Sequence, residues 1–391
     1  MNREILSDAV QEFLLENENA DPRKIALSKS PFVGVSSSEL ASQIESRQKT
    51  KKKLPLWHRT PGIYFPPGLS IEQASSEQTA LYKSKLIDGG SLIDLTGGFG
   101  VDSFYFSQRA VQVTHCELNE ELSQIAKHNA ERLGRDNIHF YAGDGVDYVL
   151  NKDVSYTTIF IDPSRRVKSQ KVFKLSDCEP DIVQWQEALL SKCSRLIVKA
   201  SPLLDISLSL SQLRHVKEVL VLSVKNECKE LLFILEKAYE GEVKVVVALL
   251  NDDKGNEFTF NESDEKSSPL VLSKPENYIY DPDSGLLKAG LFKSIAHRFR
   301  VKKLHLNTHL YTSYEKIADF PGRTLRITEI MDYKDFKKRK DSLSANVIAK
   351  NFPVKAEAVR KKHRIGESED DFLFFCKTMD DSLTVIFAKR D

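Results

Sequence analysis

Between residues 91 and 213, strand-length apolar runs alternate with helix-length amphipathic ones, and this rhythm constrains the fold more than any other feature of the chain. Residues 91–95, 111–117, 138–141, 158–161 and 195–199 read as strands, and 118–133, 181–193 and 205–213 as helices. Helix 118–133 carries Leu118, Leu122, Ile125, Ala126 and Leu133 on one face and stops at Gly134. Such alternation predicts an α/β fold, a parallel sheet with helices on both faces. After 213 the rhythm breaks. Residues 218–224 and 230–236 read as two strands joined by a short polar turn, hence an antiparallel hairpin.

At 391 residues the chain is long for one core, so several domains are expected. Residues 1–74 read as a helical segment and a connector, the latter holding four prolines and Trp57 and draped over another domain. Residues 75–268 form the α/β domain, with Ser75 capping its first helix and the polar, acidic stretch 251–268 marking its end. Residues 269–321 and 322–391 read as two small α+β units, with 346–351 and 355–363 helical and 372–375 and 383–388 extended. Net charge is only +1, so any attraction for nucleic acid must come from local patches. No apolar run reaches the roughly 18–20 residues that span a bilayer. The acidic N-terminus lacks the pattern of a signal peptide, and the five dispersed cysteines form no disulfide framework. A reduced, cytoplasmic setting is expected.

Sites cluster at the strand ends. Asp94-Leu95-Thr96-Gly97-Gly98-Phe99-Gly100 joins the first strand to a helix, where glycines let the backbone turn sharply and approach a ligand closely. A dinucleotide site would read GxGxxG; here Val101, Asp102 and Ser103 follow and the third glycine is missing. Glu117 ends the second strand, placed to accept hydrogen bonds from ribose hydroxyls, with Leu118 next to it. Gly143-Asp144-Gly145-Val146 ends the third, with Asp144 toward an adenine amino group and Val146 against its ring. Asp162-Pro163-Ser164-Arg165-Arg166 ends the fourth and Lys199 the fifth. Each has a plainer reading: a turn, a helix cap, a surface ion pair of Arg165 or Arg166 with Asp177 or Glu179, a solvated lysine at 199. Their common rim favours one ligand.

These segments resemble motifs I to IV of class I S-adenosylmethionine-dependent methyltransferases, whose Rossmann-like seven-stranded sheet closes with an antiparallel hairpin. Asp94–Asp102 is similar to the loop of a bacterial guanine-N2 methyltransferase family acting on ribosomal RNA. The chain from about residue 55 resembles a bacterial family that joins this domain to a ferredoxin-like insert and a C-terminal THUMP-like domain. That likeness rests on Ser75-Ser76-Glu77-Gln78-Thr79-Ala80, Asp162–Arg166, Asn226-Glu227-Cys228-Lys229-Glu230 and Ser344-Ala345-Asn346-Val347-Ile348. It implies S-adenosylmethionine held by Asp94, Thr96, Gly97, Gly98, Gly100, Asp102, Glu117, Leu118, Asp144, Gly145, Val146 and Asp162. It also implies catalysis by Asp162 and Pro163 on a base amino group. Ser164, Arg165, Arg166 and Lys199 would face substrate.

Where amino methyltransferases carry an aromatic residue after the proline, Ser164 and Arg165 stand here. A cysteine-nucleophile mechanism is not expected, because neither Cys178 nor Cys193 follows a strand end. Residues 286–316 set seven Lys or Arg against Glu315 alone, interleaved with Phe292, Phe299, Tyr311 and Tyr314, a footprint of RNA binding. Basic runs at 337–340 and 360–364 add to it, so tRNA or rRNA is the expected partner. His305 and His309 lack an acidic third ligand, and no metal is expected. The residues leave open a protein or small-molecule acceptor, and a cofactor-binding RNA factor without activity.

Overall fold

The computed structural model describes residues 1–165, 174–251 and 255–390. Its first sheet contains β1 (Ser91–Asp94), β2 (Gln112–Glu117), β3 (Ile138–Ala142), β4 (Tyr156–Ile161), β5 (Cys193–Ala200), β6 (Val216–Val224), β7 (Glu227–Glu236), β8 (Lys244–Leu249) and β9 (Asn256–Asn261). The strand order is β9-β8-β6-β7-β5-β4-β1-β2-β3. Strands β1 to β5 run parallel, and β7 lies antiparallel to β5. Buried on both faces, the central strands read as continuous apolar runs, Ile159-Phe160-Ile161 and Leu196-Ile197-Val198. The hairpin between β6 and β7 turns on Lys225 and Asn226, both with positive φ (52° and 63°), the twist that suits a two-residue connection.

Two strands more than expected extend this sheet. Within the polar stretch 251–268, residues 256–261 form β9, because Phe258 and Phe260 alternate with polar residues and pair it with β8. The chain divides into two compact units, residues 1–219 with 230–241 and residues 220–229 with 242–391. The base of the hairpin belongs to the first and its tip to the second.

In the first unit, helices α1 (Ser37–Lys53), α2 (Glu77–Ser84), α3 (Val101–Phe106), α4 (Glu120–Arg132) and α5 (Gly145–Leu150) flank the strands. The N-terminal residues are part of the core: Ile5, Leu40, Ile44, Trp57 and Phe65 cluster with Phe99, Phe104 and Ile125. Two amides fix the proline-rich connector. Gln43 exchanges hydrogen bonds with the Phe65 backbone at 2.6 and 3.0 Å, and Asn129 does the same with Tyr64 at 2.9 Å.

In the second unit a seven-stranded sheet combines β10 (Tyr278–Pro282), β11 (Lys302–Lys303), β12 (Tyr311–Ser313), β13 (Gly322–Asp332), β14 (Asn346–Lys350), β15 (Asp371–Lys377) and β16 (Leu383–Lys389), ordered β11-β12-β10-β13-β16-β15-β14. The pairing of β10 with β13 joins strands on both sides of residue 321 in one sheet. Residues 346–350 are a strand, not the expected helix: they pair parallel with β15, which a window of local sequence does not contain. No described helix is long and apolar enough to cross a membrane.

Candidate functional site

Because β1 to β5 are parallel, Asp94, Glu117, Asp144, Asp162 and Lys199 emerge along one rim, at the carboxyl ends of the strands. The loop after β1 is tied down on both sides. Leu95 N donates to Phe160 O at 2.9 Å and Gly97 N to Cys116 O at 2.7 Å. A Cβ on Gly97 would lie 2.3 Å from the His115 ring, so only glycine fits. Burial takes that imidazole down to about 4, so it underlies the loop as a neutral ring. Gly100 heads α3 in the left-handed region (φ 82°), and a Cβ on Gly98 (φ 54°) would meet only Thr96 O, at 3.9 Å. Asp94 braces the loop from below, accepting from Thr96 N (3.1 Å) and Ser103 Oγ (2.7 Å); burial raises its carboxyl to about 7.

Half-buried Glu117 accepts from Gly98 N and Asn119 N, each at 2.9 Å, and both its oxygens keep a lone pair for a hydroxyl. Leu118 departs from the expected helical face. The helix starts at Glu120 with Asn119 as its cap, which leaves Leu118 71% exposed beside Glu117. Asp144 does cap a helix: its Oδ1 accepts from Val146 N (2.8 Å) and Asp147 N (3.0 Å) at the start of α5, an element the sequence reading missed. Gly145 passes so close to β1 that an added Cβ would sit 2.5 Å from Leu95 O, and Val146 is buried.

The fourth and fifth strands supply a charged pair. Their register matches Ile161 to Val198, so the next residues, Asp162 and Lys199, share one face. Lys199 Nζ lies 2.6 Å from Asp162 Oδ2, while Asp162 N donates to Thr96 Oγ1 at 2.7 Å. Lys199 is only 7% exposed, which overturns the reading of a solvated lysine. Pro163 is half-buried, and Ser164 and Arg165 form a two-residue bridge with Glu179 and Cys178. Arg166 lies outside the described residues.

Behind this pair is a cluster that sequence reasoning missed. Lys83 Nζ contacts Ser75 Oγ (2.6 Å), Asp102 (2.9 Å) and Glu230 Oε2 (2.7 Å); Thr79 Oγ1 donates to Glu230 Oε1 at 2.8 Å. Ser75 Oγ donates to Asp102 Oδ2 at 2.6 Å, and Lys199 reaches Ser75 Oγ at 3.1 Å. Asp102 thus turns inward, away from its expected place in the cofactor loop. Ser75 is likewise no helix cap, since Ser76 takes that place and accepts from Thr79 N. Burial alone would raise Glu230, but Lys83 and Lys199 outweigh it and bring the carboxyl down to about 2. One signal was available: Thr79 and Lys83 stand four apart, on one face of α2.

The aromatics of the basic stretch lie largely in the core of the second unit, whereas Arg298, Arg300 and Lys316 stay exposed. Tyr311 is fully buried, Phe292 stacks on His309 at 3.7 Å, and Phe299 packs edge-on against Phe320. Of the four aromatics only Tyr314 is freely exposed (65%). Lys302 pairs with Glu276, Arg339 with Glu329 and Asp341, and Arg360 with Glu367. Lys361, Lys362 and Arg364 remain on the surface.

A parallel sheet with this strand order, closed by an antiparallel hairpin and carrying its loops on one rim, is the fold of class I methyltransferases. A crystal structure of a candidate methyltransferase from Porphyromonas gingivalis W83 matches it with a TM-score of 0.88 and 30% identity, over 99% of this chain and 98% of that one. Residues 278–321 match a ferredoxin-like domain family and 322–390 a THUMP domain-like family. The chain belongs to the family of the P. gingivalis protein. It is also 34% identical over 79 residues to the 23S rRNA (uracil(747)-C(5))-methyltransferase of Pyrococcus abyssi, covering 20% of this chain and 18% of that protein. The corresponding enzyme of Pyrococcus horikoshii is 31% identical over 102 residues, 26% of this chain and 24% of its own length. The chain therefore spans a quarter or less of these two relatives.

Proposed function

We propose that this chain is an S-adenosylmethionine-dependent methyltransferase that modifies a base amino group in tRNA or rRNA, in the cytoplasm. The observation that carries it is Asp162-Pro163 at the tip of β4, with the carboxylate pinned by Lys199 and the backbone hooked to Thr96 of the glycine loop. The rim fits the cofactor: around Gly98 only Thr96 O comes within 4 Å of an added Cβ, Glu117 offers lone pairs to a ribose, and Val146 and Leu118 flank the adenine position with apolar surface. When bound, the cofactor supplies an electrophilic methyl group on a sulfonium. Thr96, Gly97, Gly98 and Gly100 shape its loop, and Asp144 and Gly145 border the adenine end.

The chain's own residues then orient the acceptor. The Asp162 carboxylate and the Pro163 carbonyl accept the two amine hydrogens, which aims the nitrogen lone pair at the methyl carbon. The N–H proton that the acceptor would give up on methylation would pass to Asp162, whose side chain is 35% exposed and can return it to water. Ser164, Arg165 and Arg166, next in sequence, are assigned to substrate contact in this reading. The modules 269–321 and 322–391 present RNA through surface cations such as Lys361 and Lys362.

The archaeal relatives favour a second reading, methylation of a pyrimidine carbon, which calls for an accessible thiolate. Burial pushes the Cys193 and Cys376 thiols up to about 12 and raises Cys116 as well. Cys193 also opens β5, at the opposite end of the strand from Lys199. That sets aside three of the five thiols, and the Asp162-Pro163 pair at the tip of β4 favours the amino group as the acceptor. Nucleoside mass spectrometry of tRNA and rRNA from cells with and without this chain tests the choice. A missing N-methylated purine is expected; a missing 5-methyluridine overturns it. Asp162→Ala should lower transfer to that RNA by roughly 100-fold or more.

A further inference from the structure

The closest ionic contact of the rim joins a buried lysine to a partly exposed carboxylate. Lys199 Nζ sits 2.6 Å from Asp162 Oδ2, and the same ammonium is held from behind by Ser75 Oγ at 3.1 Å and Asp102 Oδ2 at 3.9 Å. Ser75 and Asp102 are in turn fixed by Lys83, which is anchored on Glu230 at 2.7 Å. The chain of contacts joins α2, α3, β4, β5 and β7, so the Lys199 ammonium has little freedom to move. Three carboxylates, Asp102, Asp162 and Glu230, share two ammoniums, which leaves one negative charge. Asp162 alone of the three reaches the surface, with its side chain 35% exposed.

Resting on the methyltransferase reading above, we propose that Lys199 is a positioning residue rather than a substrate contact: it holds Asp162 ionised and in one rotamer, so that the free oxygen faces the acceptor amine. Burial is the largest influence on Asp162 and leaves its carboxyl raised; Lys199 and then Lys83 hold that rise down, while Asp102 and Asp94 add to it. Without Lys199 the carboxyl protonates at higher pH and loses an acceptor site.

The test uses the full chain and three measurements. In Lys199→Met, kcat with an RNA acceptor should fall at least tenfold at pH 7 and recover as pH rises, while calorimetric affinity for S-adenosylmethionine changes less than threefold. Lys199→Arg should restore most of the rate. Carbon-13 NMR of labelled aspartate, assigned through Asp162→Asn, should show the Asp162 carboxyl titrating at higher pH in Lys199→Met than in the parent. A variant with the parent's rate, pH profile and Asp162 titration overturns the proposal. If the parent itself transfers no methyl group to RNA, the functional reading fails, and the NMR titration still decides the role of Lys199. Should Lys199→Met not fold, Lys199→Gln takes its place in all three measurements.

Discussion

Lys83 and Lys303 are both buried, at 1% and 2% exposure, yet the two units surround them in opposite ways. Lys83 lies between two carboxylates, Asp102 and Glu230, with Ser75 as a further acceptor. Lys303 donates to the backbone carbonyl of Leu306 and lies 5.2 Å above the Phe292 ring. Glu265 favours its charge, but desolvation dominates and lowers the amine to about 8. The difference teaches that burying an amine is tolerable when carboxylates are buried with it, and is a standing cost when only a carbonyl and a ring receive it.

Four substitutions probe that contrast. The largest effect is expected from Lys83→Met, which strands Glu230 and Asp102 without their shared cation and should cost about 3–5 kcal/mol in denaturant unfolding. Adding Glu230→Leu should return much of it; an additive double variant would show that the pair is not coupled. Lys303→Met should have the opposite sign and a smaller size, stabilising on the order of 1–3 kcal/mol at pH 7. The sign follows from linkage. The folded amine releases its proton near pH 8 and the unfolded one near 10.5, so the parent gains stability across that window and the advantage of the variant shrinks there. Unfolding curves at pH 7, 9 and 10.5 would read this, and an advantage independent of pH would break the comparison. The smallest change is expected from Arg339→Ala in the second unit. Its pairs with Glu329 and Asp341 lie at the surface and should be worth less than about 1 kcal/mol, and less again in high salt.

How much of this was legible follows from how far apart the interacting residues lie. Strand periodicity and glycine turns are local signals, so the sheet and the rim residues Asp94, Glu117, Asp144 and Asp162 were placed correctly at the strand ends. Capping is local as well, yet Asp144 and Ser76 show that the plain reading and a site position can coincide, or that the cap can move by one residue. Leu118 was misread because helical spacing alone cannot say that the helix begins two residues later. Residues 346–350 were misread because their partner strand is distant in sequence. In the second unit, composition counted core aromatics together with exposed ones. Nothing in a charge count distinguishes Tyr311, fully buried, from exposed Tyr314.

The sequence by itself determined the α/β order, the glycine loop and the acidic positions that a nucleotide-like cofactor asks for, since each depends on neighbours within a few residues. Only the tertiary structure decided what surrounds Asp162. Lys83 and Glu230 stand 147 positions apart, and Lys199 and Ser75 stand 124 apart, before the fold closes them to hydrogen-bond distance. Their effect on Asp162 depends on that distance and on the exclusion of water, neither of which a linear sequence carries.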